Sequence, residues 1–374
     1  MSQQVLESTR FSRKSRASRP NQRIHSYSVA VHEPTAMKQR EVNVAGCTIG
    51  GITSIEVPLV KLLMDPVLRV DLAATGGGNK GANYGANLIK SIEVTSGSNI
   101  LHSYNDYATF ISFCLQNCPT ERRKKVLELF GSAGANADQV FIPLPVPGSS
   151  LFYGFDNTRG RPLNLGAISS KAPLMFRVEW NTKANLVNGD SSTFAITNCV
   201  LQFNELLTSG NHAKPFATEY QDIKIWPSEV NLSANQLTET SIESLTGSIA
   251  YIWTNALSDA NKAADGNKLV CERIDEQELI LDGERYYKAV SKLQQVKDQV
   301  FMGVGDNDNK ATGNNIVSFT RYPFEHIKEG MAHTSAIKRI GLRQKATQNL
   351  ECRICTVYWK QCYSQGGVIN CREM

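Results

Sequence analysis

Residues 88–110 read LIKSIEVTSGSNILHSYNDYATF, and residues 269–293 read LVCERIDEQELILDGERYYKAVSKL. Each begins as an alternating apolar run, breaks at a glycine, passes through aromatic residues and ends in a helix-like stretch. In the first, Ile92 and Val94 share a face and Glu93 points the other way, the period of two that marks a half-buried strand. A shift of about 187 residues lays Ile92 over Leu279 and Val94 over Leu281. Gly97 then meets Glu284, one residue past Gly283, which predicts a second hairpin turn one residue shorter. Tyr104 and Tyr107 are answered by Tyr286 and Tyr287, and PLMFRVEW (173–180) is echoed by LECRICTVYW (350–359). One unit used twice predicts two domains of similar build.

The rest of the chain reads mainly as strands. VNVAGCTIGGITSIEVP and DPVLRVDLAAT, from residues 42 and 65, are short alternating runs bounded by Gly and Pro. Two helices interrupt them. Asn105 or Asp106 can cap Tyr107–Asn117, and Thr120 can cap Glu121–Phe130, which Gly131 closes. FIPLPVP (141–147) is extended and proline-broken, suited to a sheet edge or corner. In LMFRVEW (174–180), Phe176, Val178 and Trp180 face one way, and Arg177 and Glu179 the other. Residues 208–219, TSGNHAKPFATE, are polar and turn-rich and mark the best domain boundary. DIKIWP and GSIAYIW restart the strands. After DGERYY a helix-like stretch runs to about Met302, and IVSFTRYPF, AIKRIGL and LECRICTVYW follow. Strands and helices do not alternate regularly, so a parallel βαβ sheet is excluded. The reading is all-β: two tandem β-sandwiches with short inserted helices, divided as 1–40, 41–210 and 211–374.

The 374 residues are 41% hydrophobic and 20% charged, an ordinary globular composition. No apolar run approaches the roughly 18 residues that a membrane helix needs, and the first 30 residues show no secretory h-region. Folding in a cytosol is the expectation. The charge is concentrated. Residues 1–30 carry Arg10, Arg13, Lys14, Arg16, Arg19 and Arg23 against Glu7 alone, a net +5 that equals the excess of the whole chain. Such an Arg/Ser-rich arm cannot fold by itself. It reads either as a contact for nucleic acid or lipid headgroups or as a solubilising tail.

Several motifs fail on inspection. GGGNKG (76–81) fits G-x-G-x-x-G and follows a strand, but strand alternation follows it where a helix N-terminus is needed to hold a pyrophosphate. Cys352, Cys355, Cys362 and Cys371 could supply four thiolates, but Cys352 and Cys355 fall in a strand pattern that points them to opposite faces. They read as buried or edge cysteines, as does Cys114–Cys118, one helical turn apart. GDNDNKATG (305–313) lacks the glycine and terminal Glu of a calcium loop. The six histidines are scattered, and no G-x-S-x-G is present. No cofactor and no enzymatic site is expected. Trp180, Trp226, Trp253 and Trp359 could form a stacking platform in a tandem carbohydrate-binding or carbohydrate-cleaving sandwich, but all four lie in strand patterns that suit a core.

The series IKSIEVTSG, NDYATF with its helix, FIPLPVP, APLMFRVEW and then a second strand–glycine–aromatic unit resembles the double jelly-roll major capsid proteins of tailless icosahedral viruses, the lineage of adenovirus hexon and the membrane-containing phages. The short length is more like the compact bacteriophage and archaeal-virus members. The resemblance implies two eight-stranded antiparallel jelly rolls standing upright on a capsid. Three chains would form a pseudo-hexameric homotrimer that contacts neighbouring capsomers and minor capsid or vertex proteins. It implies a virion location after assembly in the host cytoplasm. Arg10–Arg23 would then face an internal membrane or the genome.

Overall fold

The computed structural model describes residues 36–116, 118–207, 216–242, 247–295, 315–320, 331–333, 337 and 339–374. Besides three strands of two residues each, eight longer strands form the first half: β1 (Ala36–Asn43), β2 (Ile52–Glu56), β3 (Leu62–Leu72), β4 (Ile89–Ser96), β5 (Asn99–Tyr104), β6 (Asp138–Pro143), β7 (Leu174–Trp180) and β8 (Ile196–Leu207). They pair antiparallel into two sheets, β1–β8–β3–β6 and β2–β7–β4–β5. The second half repeats the pattern with β9 (Ala217–Leu232), β10 (Leu237–Ile242), β11 (Ser248–Ser258), β12 (Glu276–Leu281), β13 (Glu284–Ala289), β14 (Asn315–Ser318), β15 (Ile340–Lys345) and β16 (Leu350–Gln365). Its sheets are β9–β16–β11–β14 and β10–β15–β12–β13. In both halves the order is first–eighth–third–sixth facing second–seventh–fourth–fifth, which is the jelly-roll topology. The all-β reading as two tandem jelly rolls with inserted helices therefore holds.

The quoted repeat falls on the fourth and fifth strands of each roll. Both hairpins have two-residue turns, Gly97–Ser98 and Asp282–Gly283, so the second is not shorter. The glycine changes place instead. Only Gly97 has a positive φ in the first turn, whereas Asp282 (49°) and Gly283 (93°) both do in the second, as a type I′ turn requires. The other echo is not equivalent: LMFRVEW is the seventh strand of its roll and LECRICTVYW the eighth of the other. Alternating apolar residues with one outward charge suit either position, so the pattern alone could not separate them. The residues after DGERYY extend as β13 to Ala289, where a helix was expected, because Tyr287 and Lys288 pair with Leu279 and Glu278. The expected helix end at Met302 and the 305–313 loop lie outside the described residues.

The inserted helices are α1 (Tyr107–Gln116) and α2 (Thr120–Glu128). Asp106 caps α1: the Thr109 N–H donates to its Oδ1 at 3.0 Å. Thr120 does not cap α2. It lies inside the first turn, and Pro119 occupies the cap position with no side-chain bond. All ten residues of α1 are buried. A helix buried on every side belongs to a core, and α1 packs between the rolls. Among the described residues no helix is long and apolar enough to cross a membrane.

The rolls share apolar packing. One cluster joins Leu68, Val94, Phe110 and Trp180 of the first roll to Tyr220, Trp253, Val357 and Ile369 of the second. A smaller cluster fills the second roll alone, with Leu279, Leu342, Ile252 and Ile354. The last strand, β17 (Val368–Glu373), pairs with β16 and reaches the first roll, where Asn99 Nδ2 donates to the Ile369 carbonyl at 3.2 Å. The glycine-rich 76–81 motif serves the same junction. A Cβ on Gly81 would lie 2.3 Å from the Gly266 carbonyl oxygen and 2.6 Å from that of Asp265. Two backbones of different rolls touch there. Gly81→Ala should therefore cost about 1–3 kcal/mol through overpacking, read as a lower urea midpoint with an unchanged slope.

Candidate interaction surfaces and the junction between the rolls

The arm residues Arg10, Arg13, Lys14, Arg16, Arg19 and Arg23 lie outside the described residues. The cysteines of the C-terminal run do not converge. Cys362 and Cys371, cross-strand neighbours on β16 and β17, form a disulfide, where the sequence had suggested only buried or edge cysteines. Cys352 packs in the second roll's own core and Cys355 in the shared one, so they do point to opposite faces of β16. Among the described residues no three metal-ligating side chains gather.

The tryptophan platform is also absent from the surface. Trp180, Trp253 and Trp359 are buried, and the Trp180 indole donates to Thr53 Oγ1 at 2.9 Å. Trp226 is half-buried, with Lys224 Nζ 5.1 Å from its ring centroid. The outer face of β10–β15–β12–β13 carries a pit of about 310 Å³ floored by Gly341 and Ile280. Its rim is ionic: Arg343 Nε donates to Glu239 at 2.8 Å, Arg339 lies 3.7 Å from the same carboxylate, and Arg285 pairs with Glu278.

A buried polar constellation lies where the rolls meet, and it was not legible as a site. Strand alternation puts His102 with Tyr104 on β5, Tyr220 with Asp222 on β9, and Tyr358 with Lys360 on β16, each pair two residues apart and on one face. Asp222 is the hub. Its Oδ1 accepts from Tyr104 Oη at 2.6 Å and from the Ile223 N–H at 2.8 Å. Its Oδ2 accepts from Lys360 Nζ at 2.9 Å and lies 3.1 Å from His102 Nδ1. Tyr220 Oη sits 3.0 Å from His102 Nε2. With a proton on Nδ1, His102 donates to Asp222 and accepts from Tyr220. The side chains of His102, Asp222 and Lys360 are 0%, 1% and 10% exposed, so no substrate reaches them. A repeated aromatic-x-ionisable pattern (HSY, YQD, YWK) was the available signal.

Burial, followed by the charge of Lys360, pushes the His102 pKa down to about 4, against the pull of Asp222. For Asp222, burial raises the pKa, but Lys360 and the bonds from His102 and Tyr104 outweigh it and hold the carboxyl well below its usual range.

The fold is that of known capsid proteins. The chain matches a structure of the PBCV-1 virus capsid with a TM-score of 0.71 at 12% identity, covering 90% of this chain and 96% of that one. It matches the Faustovirus major capsid protein with a TM-score of 0.59 at 10% identity, covering 88% and 90%. The mavirus major capsid protein matches with a TM-score of 0.59 at 9% identity, covering 90% of each chain. The resemblance read from the sequence thus holds in three dimensions: this is the double jelly-roll architecture of viral major capsid proteins. No protein-family profile matches the sequence, and no curated protein matches it by sequence.

The cluster predicts the acid response. Unfolded histidine protonates near pH 6.5, folded His102 only near 4. The stabilisation is complete above about pH 6.5 and is lost as the pH falls to 4, by roughly 3 kcal/mol, with Asp222 adding to the loss below its unfolded pKa near 3.9. Urea titrations at pH 7, 5.5 and 4 should show that His102→Gln flattens this slope relative to wild type. Parallel slopes for the two proteins would contradict the assignment.

Proposed function

We propose that this chain is a major capsid protein whose work is self-association: three copies join as a pseudo-hexameric trimer, and trimers tile an icosahedral shell. The observation that supports it most is the repeated eight-strand order in two rolls that share a core, matched along nine-tenths of the chain by viral capsid proteins. Two wedges fixed in one body suit a building block, and no catalytic chemistry is required. The divisions 41–210 and 211–374 then correspond to the two wedges and 1–40 to an arm, except that β1 begins at Ala36, so residues 36–40 belong to the first wedge. Through Arg10, Arg13, Lys14, Arg16, Arg19 and Arg23 that arm meets the phosphates of an internal membrane or of the genome. Neighbouring capsomers and minor capsid or vertex proteins complete the partners. The virion is the final location, following assembly in the host cytoplasm, and the protein is not an enzyme. The burial of Trp180, Trp253 and Trp359 leaves the carbohydrate reading without its platform.

Light scattering on the purified protein should give three times the 41.3 kDa chain mass, and electron micrographs should show three-fold particles with a six-lobed outline. A monomer at high concentration would contradict this. Removing residues 1–35 should weaken binding to anionic liposomes or to DNA and flatten its salt dependence. Equal binding by the full and shortened chains would remove the electrostatic role of the arm.

A further inference from the structure

Within the chain, the insertion that follows β5 covers one face of the second roll. Phe113 of α1 packs against Trp253 of β11, with ring centroids 6.4 Å apart. Asn255 Nδ2 donates to Thr109 Oγ1 at 3.0 Å, and Arg353 of β16 lies 3.3 Å from Asp106. The covered surface is the outer face of β9–β16–β11–β14.

The equivalent face of the first roll is β1–β8–β3–β6. Among the described residues it is open, with Met37 at 63% exposure, and carries a groove of about 200 Å³ lined by Gln39, Val67, Leu129, Phe141, Gln202 and Asn204. The counterpart of α1's approach in the second roll is the chain directly after β13. There Val290 is 55% exposed and Leu293, in a helical turn at 292–295, is 77% exposed, the most exposed large apolar side chain among the described residues. Among the described residues, a covering segment without its face and a face without its covering segment thus sit on the same molecule. On the open face Glu41 accepts from Gln202 at 2.7 Å and lies 4.0 Å from Arg69, so paired charges flank the groove.

We propose that the 290–293 segment of one copy docks on the β1–β8–β3–β6 face of a second copy, repeating between chains the contact that α1 makes within one. The inference rests on the self-association reading and names its interface. The two patches differ, so the contact is head-to-tail. Such a contact generates a closed ring when the successive rotations sum to a full turn. Both apolar side chains then leave water, and the repeated roll order supplies the same docking frame at each joint.

The test uses the full chain and light scattering. Leu293→Asp, with Val290→Asp as an independent second variant, should yield folded monomers. Gln39→Arg with Leu129→Asp should do the same from the other side. These side chains are exposed, so melting within a few degrees of wild type checks the fold. Each variant keeps one sound patch. Mixing Leu293→Asp with Gln39→Arg/Leu129→Asp should therefore produce a one-to-one heterodimer and nothing larger. A wild-type oligomer that survives both sets of substitutions, or a mixture that remains monomeric, overturns this interface and leaves self-association standing. A monomeric wild type overturns both.

Discussion

A sheet that must hide both of its faces holds this molecule together. Along β11, Tyr251 and Trp253 point to the first roll while Ile252 and Ala256 point into the second; along β16, Cys355 and Val357 go one way and Cys352 and Ile354 the other. Only one of those faces can be covered by the opposing sheet of the same roll. The other needs α1 and the first roll. Aromatic side chains bury about 150–250 Å² each, so at about 25 cal/mol per Å² each of Trp253, Tyr251, Phe110 and Phe113 stabilises the junction by several kcal/mol. An isolated second roll would expose that surface.

The polar cluster around Asp222 sits inside this dry seam. Desolvating a carboxylate and an ammonium costs several kcal/mol each, which a generic apolar seam would avoid. Here Asp222 receives bonds from a tyrosine, a lysine, a histidine and a backbone N–H, all within a cone fixed by β5, β9 and β16. Sliding any of these strands by one residue would leave a buried charge unpaired. The apolar contacts supply the adhesion and the charged hub fixes the register, together giving one relative placement of the rolls. Gly81 against Gly266 and β17 against β5 pin the same seam at other points.

Much of the fold was legible in the sequence because jelly-roll strands have one wet and one dry face. Ile92 with Val94 and Phe176 with Val178 announced strands by alternation, and Gly97 and Gly283 announced their turns. Alternation carries no information about partner strands, however, so LMFRVEW and LECRICTVYW looked equivalent when they occupy different places in their rolls. Cross-strand pairing also decided β13, where Tyr287 and Lys288 are extended by Leu279 and Glu278 against a helical reading. The Asp222 hub is assembled from three pairs of residues more than a hundred positions apart, apart from their i, i+2 spacing, and no local window contains it. The basic arm is the reverse: its composition is plain in the sequence, and its placement comes from no strand pattern.

A body of this kind holds its two rolls at one fixed angle. If the seam is the common core, the rolls cannot melt separately. Scanning calorimetry of the full chain tests this most directly. A single transition, with calorimetric and van't Hoff enthalpies in agreement and shifted as a whole by Phe113→Ala, is the predicted result. Two resolved transitions, only one of them moved by that substitution, would contradict it.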